Sequence, residues 1–218
     1  MKRIVISVFV GLFSLNFLVP RKESQPALAH LESALAEFKG MVAVDQERAR
    51  IRQKVTRIVE RFNPDMDEKT RDRIIEEIIR MSVKYDNLDV ELICATITHE
   101  SGRNWNPRAV SNAGALGLMQ IMPRTGAWLA QYEEDIAWTT AEEVLFDPIL
   151  NIRLGCRYLS YLIDAYGLEG GLAAYNGGET IARKWLASNK ADGILWDETS
   201  SYVPFILKLY EEFQGRTM

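Results

Sequence analysis

The residue best placed to do acid-base chemistry in this sequence is Glu100. Ile93, Ile97 and Glu100 recur at i, i+4 and i+7 of a helical pattern, so a carboxyl closes an otherwise apolar helix face. Burial disfavours the charged carboxylate and raises its pKa toward neutrality, which leaves a group able to donate a proton near pH 7. A helix-terminal Glu alone is more often solvated or capping than catalytic, so its neighbours matter. His99-Glu100-Ser101-Gly102 leads into Asn104-Trp105-Asn106-Pro107, Ser111 and then Gly114-Ala115-Leu116-Gly117-Leu118-Met119-Gln120-Ile121-Met122-Pro123. Further on stand Ala174-Tyr175-Asn176, Glu198-Thr199 and Tyr202-Val203.

Three of these segments, Glu100-Ser101, Gly117-Leu118-Met119-Gln120 and Ala174-Tyr175-Asn176, are similar in type, order and spacing to the marks of the soluble-type lytic transglycosylases. The resemblance continues through Glu198-Thr199 and Tyr202-Val203 and covers the chain from about Leu88 to the last helix. It implies a lysozyme-like, mainly α fold with Glu100 as catalytic acid and base and Ser101 beside it. It further implies that Ser111, Met119, Gln120, Tyr175, Asn176 and Tyr202 bind substrate, with Met119 and Gln120 lining a groove, Tyr175 and Asn176 forming its opposite wall, and Tyr202 bonding near Glu100.

The expected reaction is cleavage of the bond between N-acetylmuramic acid and N-acetylglucosamine in peptidoglycan, leaving a 1,6-anhydro end. An ordinary glycosidase uses two carboxylates at a set separation. No second acid has an obvious place in the motifs, and Asp135, Glu142 and Glu143 read as surface residues. In the family's reaction one carboxyl suffices, because the attacking hydroxyl belongs to the substrate and is already tethered. The rivals are a lysozyme- or chitinase-type hydrolase and a weakly active wall-binding protein. His99 lies about 100 degrees around the helix from Glu100 and is expected at the surface. Arg103, Arg108 and Arg124 are read as solvated, or as cations for the carboxylates of the glycan's peptides.

These residues need helices to hold them. An apolar stripe of Ile74, Ile75, Ile78, Ile79 and Met81 predicts a helix over about 68–85, and Asp89 is a suitable N-cap for the helix that carries Glu100. Residues 101–115 read as a loop with at most a small β-hairpin, and a short helix is expected after Pro123. Asp147-Pro148 opens the clearest helix, with Gly167 placed to end it. A short helix through Ala173 stops at Gly177-Gly178, another follows Glu179, and a last one covers 202–213.

The division expected is an export signal or membrane anchor at 1–20, a charged helical spacer at 21–63 broken near Gly40, and the catalytic domain at 64–218 with its motif-bearing core at 88–213. Lys2 and Arg3 before the apolar run 4–20 follow the plan of an export signal, and the run is short beside the about 20 residues of a membrane span. Cleavage and inner-membrane anchoring both stay open, and either puts the protein in the periplasm or cell envelope.

Composition narrows the partners. A formal net charge of -4 offers no basic footprint for nucleic acid, so none is expected. Cys94 and Cys156, with His30 and His99, have no zinc spacing, and neither metal nor cofactor is expected. The two cysteines read equally well as buried thiols or as a disulfide.

Overall fold

A computed structural model describes residues 24–215, with side chains from residue 29 onward. The expected export or anchor segment at 1–20 lies outside the described residues. Eight helices are present among them: α1 (Ser24–Phe62), α2 (Glu68–Lys84), α3 (Val90–Glu100), α4 (Pro123–Ala130), α5 (Ala141–Leu145), α6 (Pro148–Gly177), α7 (Glu179–Ala187) and α8 (Asp197–Phe213). The hairpin allowed for near the loop is reduced to two isolated antiparallel bridges, Val110 to Leu116 and Leu116 to Ile121. No described helix is long and apolar enough to cross a membrane.

The chain divides between residues 46 and 47, where the expected boundary stood at 63/64. Gly40 does not interrupt α1. Residues 29–46 are exposed throughout, Leu31, Leu35, Phe38 and Met41 included. From residue 47 on, α1 belongs to the larger unit. Val55, Ile58 and Val59 are buried in its core, Arg52 bonds Asp72 (2.8 Å) and Glu76 of α2, Lys54 pairs with Glu91 of α3, and Arg61 pairs with Glu212 of α8. Composition hid this boundary because the charged side chains that looked like a solvated face are ion-paired to neighbouring helices.

Helix ends follow local chemistry. The Asp67, Asp89 and Asp147 side chains accept the free N–H groups of Thr70, Leu92 and Ile149, each satisfying a donor that the helix cannot. Gly167, at φ 72, breaks α6 into two segments, as its position predicts. The helix expected over 202–213 begins earlier, at Asp197, with Pro204 well inside it. Asp197 and Glu198 fill its first turn, where acids suit the helix dipole.

The body is one helical core. α2 and α3 pack on each other, α3 and α6 both pack on α8, and α6 packs on α2 and α7. Ile74, Ile75, Ile78 and Met81 of α2 are fully covered, as are Ile93 and Ile97 of α3 and Ile152, Leu159 and Leu162 of α6. At the rim of α2, Glu77 takes Arg80 (2.7 Å) and Arg153 (3.2 Å), and Arg153 also reaches Asp135 (3.2 Å). Cys94 and Cys156 are buried in this core as free thiols.

Candidate active site

Glu100 is the last residue of α3, where the apolar face that packs the core runs out. Its carboxyl Oε1 accepts the Tyr202 hydroxyl of α8 at 2.7 Å. Burial lifts the Glu100 pKa from an ordinary 4.5 to about 7; the Tyr202 bond holds it down in part, and the charge of Glu198 adds to the rise. Near neutral pH this group divides between acid and carboxylate, as one residue needs to be if it gives a proton and then takes one.

The segments around it are held together by interactions between residues distant in the chain. Asn176 at the end of α6 accepts the Thr199 hydroxyl of α8 at 2.7 Å. A Cβ at Gly177 would stand 2.8 Å from that hydroxyl, so glycine permits the approach of the two helices. Tyr175 donates to the Met119 carbonyl at 2.8 Å and ties α6 to the loop after α3. Its phenol pKa is pushed well up, first by burial and then by the charge of Glu100. Tyr202 behaves alike for the same two reasons and is 1% exposed.

The loop of Gly117 and Gln120 is built around Asn151, which the sequence reading missed. The Asn151 side chain accepts the Met119 N–H at 2.7 Å and donates to the carbonyls of Leu116 and Leu145, both at 2.9 Å. Gly117, at φ 79, has no room for a side chain, since a Cβ would lie 2.3 Å from both the Asn151 amide and the Leu145 carbonyl. An Asn set in the apolar run Ile149-Leu150-Asn151-Ile152 was the available signal, because a fully buried amide needs every partner it can find.

Several expected substrate contacts are placed differently. Met119 is fully buried against Gly155 and 3.9 Å from Cys156 Sγ, so its side chain packs the core and only its carbonyl faces Tyr175. Ser101 is also buried, and its hydroxyl accepts the Trp105 N–H at 3.1 Å while the Trp105 indole donates to Thr98 at 3.0 Å. It props the loop. Ser111 holds the next turn by accepting the Ala115 N–H at 2.9 Å. Gln120 folds back and donates to the Gly117 carbonyl at 2.7 Å. His99 corrects the expectation of a surface residue: its ring lies edge-on to Tyr202 (4.7 Å) and Phe205 (5.1 Å), and burial lowers its pKa. Among the cations, Arg103 lies over Phe205 and Arg108 over Phe146, at 5.2 and 4.9 Å. Glu198, one turn before Tyr202, is an acid whose charge reaches Glu100 and raises its pKa. No group of three His, Cys, Asp or Glu side chains among the described residues is arranged to hold a metal ion.

The family model of the transglycosylase SLT domain matches residues 77–195, a stretch that holds Glu100, Gln120 and Tyr175 together. The chain belongs to the SLT domain family. The soluble lytic murein transglycosylase of Escherichia coli K12 is 33% identical over 124 residues, which cover 51% of this chain and 19% of that protein. The membrane-bound lytic murein transglycosylase C of Edwardsiella ictaluri is 31% identical over 140 residues, 60% of this chain and 38% of that one. This SLT chain therefore matches well under half the length of these relatives. The crystal structure of the 70 kDa soluble lytic transglycosylase of E. coli superposes with a TM-score of 0.56 at 30% identity, covering 64% of this chain and 24% of that one. An inactive mutant of the lytic transglycosylase Slt from Pseudomonas aeruginosa, with Gln in place of a Glu, gives 0.56 at 28% identity, with coverages of 66% and 24%. The SLT fold is thus lysozyme-like and mainly α.

Proposed function

We propose that this protein is a peptidoglycan lytic transglycosylase that works with a single acid-base carboxyl, Glu100, in the cell envelope. The observation that carries the reading is the Glu100 carboxyl at the end of α3, bonded by the Tyr202 hydroxyl and lifted by burial to a pKa of about 7, inside an SLT domain. The names of the relatives, soluble and membrane-bound murein transglycosylases, support the same substrate and location.

In the forward step the Glu100 carboxylic acid gives its proton to the glycosidic oxygen as the bond from C1 of the muramoyl sugar breaks. The leaving N-acetylglucosamine unit departs with a hydroxyl. The positive charge developing at C1 is met by the new carboxylate, which then removes the proton of the C6 hydroxyl of the same sugar as that oxygen bonds C1. Glu100 ends protonated, no water is consumed, and the 1,6-anhydro ring closes within one molecule, with the advantage of a tethered nucleophile. Tyr202 steadies the carboxylate between the two transfers.

Digestion of purified peptidoglycan followed by mass spectrometry tests this. The expected fragments carry 1,6-anhydro ends, and Glu100→Gln releases none. Reducing ends in place of anhydro ends would make the protein a hydrolase. No fragments from the wild-type chain, with intact binding to the wall, would make it a binding protein.

A further inference from the structure

Three large, half-exposed rings stand together. Trp128 of α4 and Tyr132 in the turn that ends it have centroids 5.5 Å apart, and Tyr161 of α6 lies 6.5 Å from Trp128. They are 42%, 54% and 49% exposed, although the body has an extensive apolar core in which rings could be covered. Contiguous exposed apolar surface of this kind marks a binding site. The patch is also held firmly. Arg157 lies over the Tyr132 ring at 5.3 Å and donates to Glu133 at 2.7 Å, and Glu133 takes Lys84 as well at 3.0 Å. Rings fixed before binding lose little conformational freedom on it.

What the patch fits follows from what it adjoins. Tyr158 lies one helical turn before Tyr161 on the same side of α6, and its ring is 5.5 Å from that of Tyr175. Tyr175 bonds the Met119 carbonyl and feels the charge of Glu100. A row of aromatic side chains, Tyr175, Tyr158, Tyr161, Trp128 and Tyr132, therefore leads from the wall beside the catalytic carboxyl to the exposed patch.

We propose that Trp128, Tyr132 and Tyr161 form a distal sugar-binding platform, on which a peptidoglycan glycan strand engaged at Glu100 continues. The inference rests on the reading of the site as one that cuts such strands. A pyranose ring presents an apolar C–H face that lies flat on an aromatic ring, while its hydroxyl and N-acetyl groups project at the edge, within reach of tyrosine hydroxyls. Arg124 is exposed and one turn before Trp128 on the same side of α4, so a cation stands where the stem-peptide carboxylates of the strand would pass. A repeating polymer gains from such a second foothold, because each added sugar contact strengthens binding without altering the reacting centre.

The test uses the full chain carrying Glu100→Gln, which holds glycan without cutting it, titrated by calorimetry with glycan oligomers of increasing length from the disaccharide upward. Affinity is expected to climb with length. Adding Trp128→Ala should remove the climb and weaken the longest oligomers about tenfold, about 1.4 kcal/mol, while Trp128→Phe restores most of it. Unchanged affinity for long oligomers in Trp128→Ala overturns the proposal, as does an equal loss for the shortest and the longest. A change confined to lipid-vesicle binding or self-association, with glycan affinity untouched, also overturns it. If the Glu100→Gln chain binds oligomers of every length equally, the platform alone fails. If it binds none and the wild-type chain cuts none, the reading of the site fails with it.

Discussion

Glu100 carries a stability cost that its proposed role explains, and Glu100→Gln should expose it. A carboxyl whose pKa is raised by folding favours the folded state only while protonated. The native state is relatively strongest below the ordinary value of 4.5 and weakens as pH rises through about 7. At about 1.4 kcal/mol per pH unit, the full cost at pH 9 is about 3 kcal/mol, spread over the window between those two values. Glutamine has nearly the same shape, can accept the Tyr202 hydroxyl and never ionises, so the variant escapes that cost. Thermal unfolding followed by circular dichroism should show the variant more stable than wild type at pH 9 by several degrees, at about 2–4 °C per kcal/mol for a chain of this size. At pH 4 the two should nearly coincide. A difference that is absent at pH 9, or the same at both pH values, would refute the claim that the carboxylate is held in a desolvated site. The same substitution should lower cleavage by at least the about 10²- to 10⁴-fold that general acid-base catalysis is worth, so stability and activity move in opposite directions.

Other consequences can be measured directly. Tyr202→Phe removes the hydrogen bond that holds the Glu100 pKa down, so the alkaline limb of the pH-rate profile should move up by about one pH unit while the catalytic rate falls. Asn151→Leu leaves the Met119 N–H and two carbonyls without partners, and denaturant unfolding should show a loss of about 3–5 kcal/mol. Removing residues 1–46 should leave a folded, active body. Removing residues 1–61 also strips Val55, Ile58 and Val59 from the core, at about 1.5–3 kcal/mol for each buried side chain, and should give a chain that circular dichroism finds unfolded or much less stable. Equal melting temperatures for the two truncations would show that the end of α1 adds nothing to the core.

What the sequence determined by itself is mostly local. Asp89 and Asp147 mark helix starts because a short carboxylate satisfies N–H groups two or three residues away, and Gly167 marks a break because it alone tolerates the backbone needed there. The position of Glu100 at the end of an apolar face was legible for the same reason: helical periodicity is a property of neighbouring residues. Tertiary structure decided the rest, through contacts between residues far apart in the chain. Tyr202 meets Glu100 across 102 positions, and Asn151 reaches Leu116 across 35. Met119 and Ser101 sit where a motif puts them, yet packing against α6 and Trp105 turned their side chains inward. The end of α1 read as solvated because charge is visible in a sequence and pairing is not. Arg52 and Lys54 became part of the body only once α2 and α3 brought Asp72 and Glu91 to them.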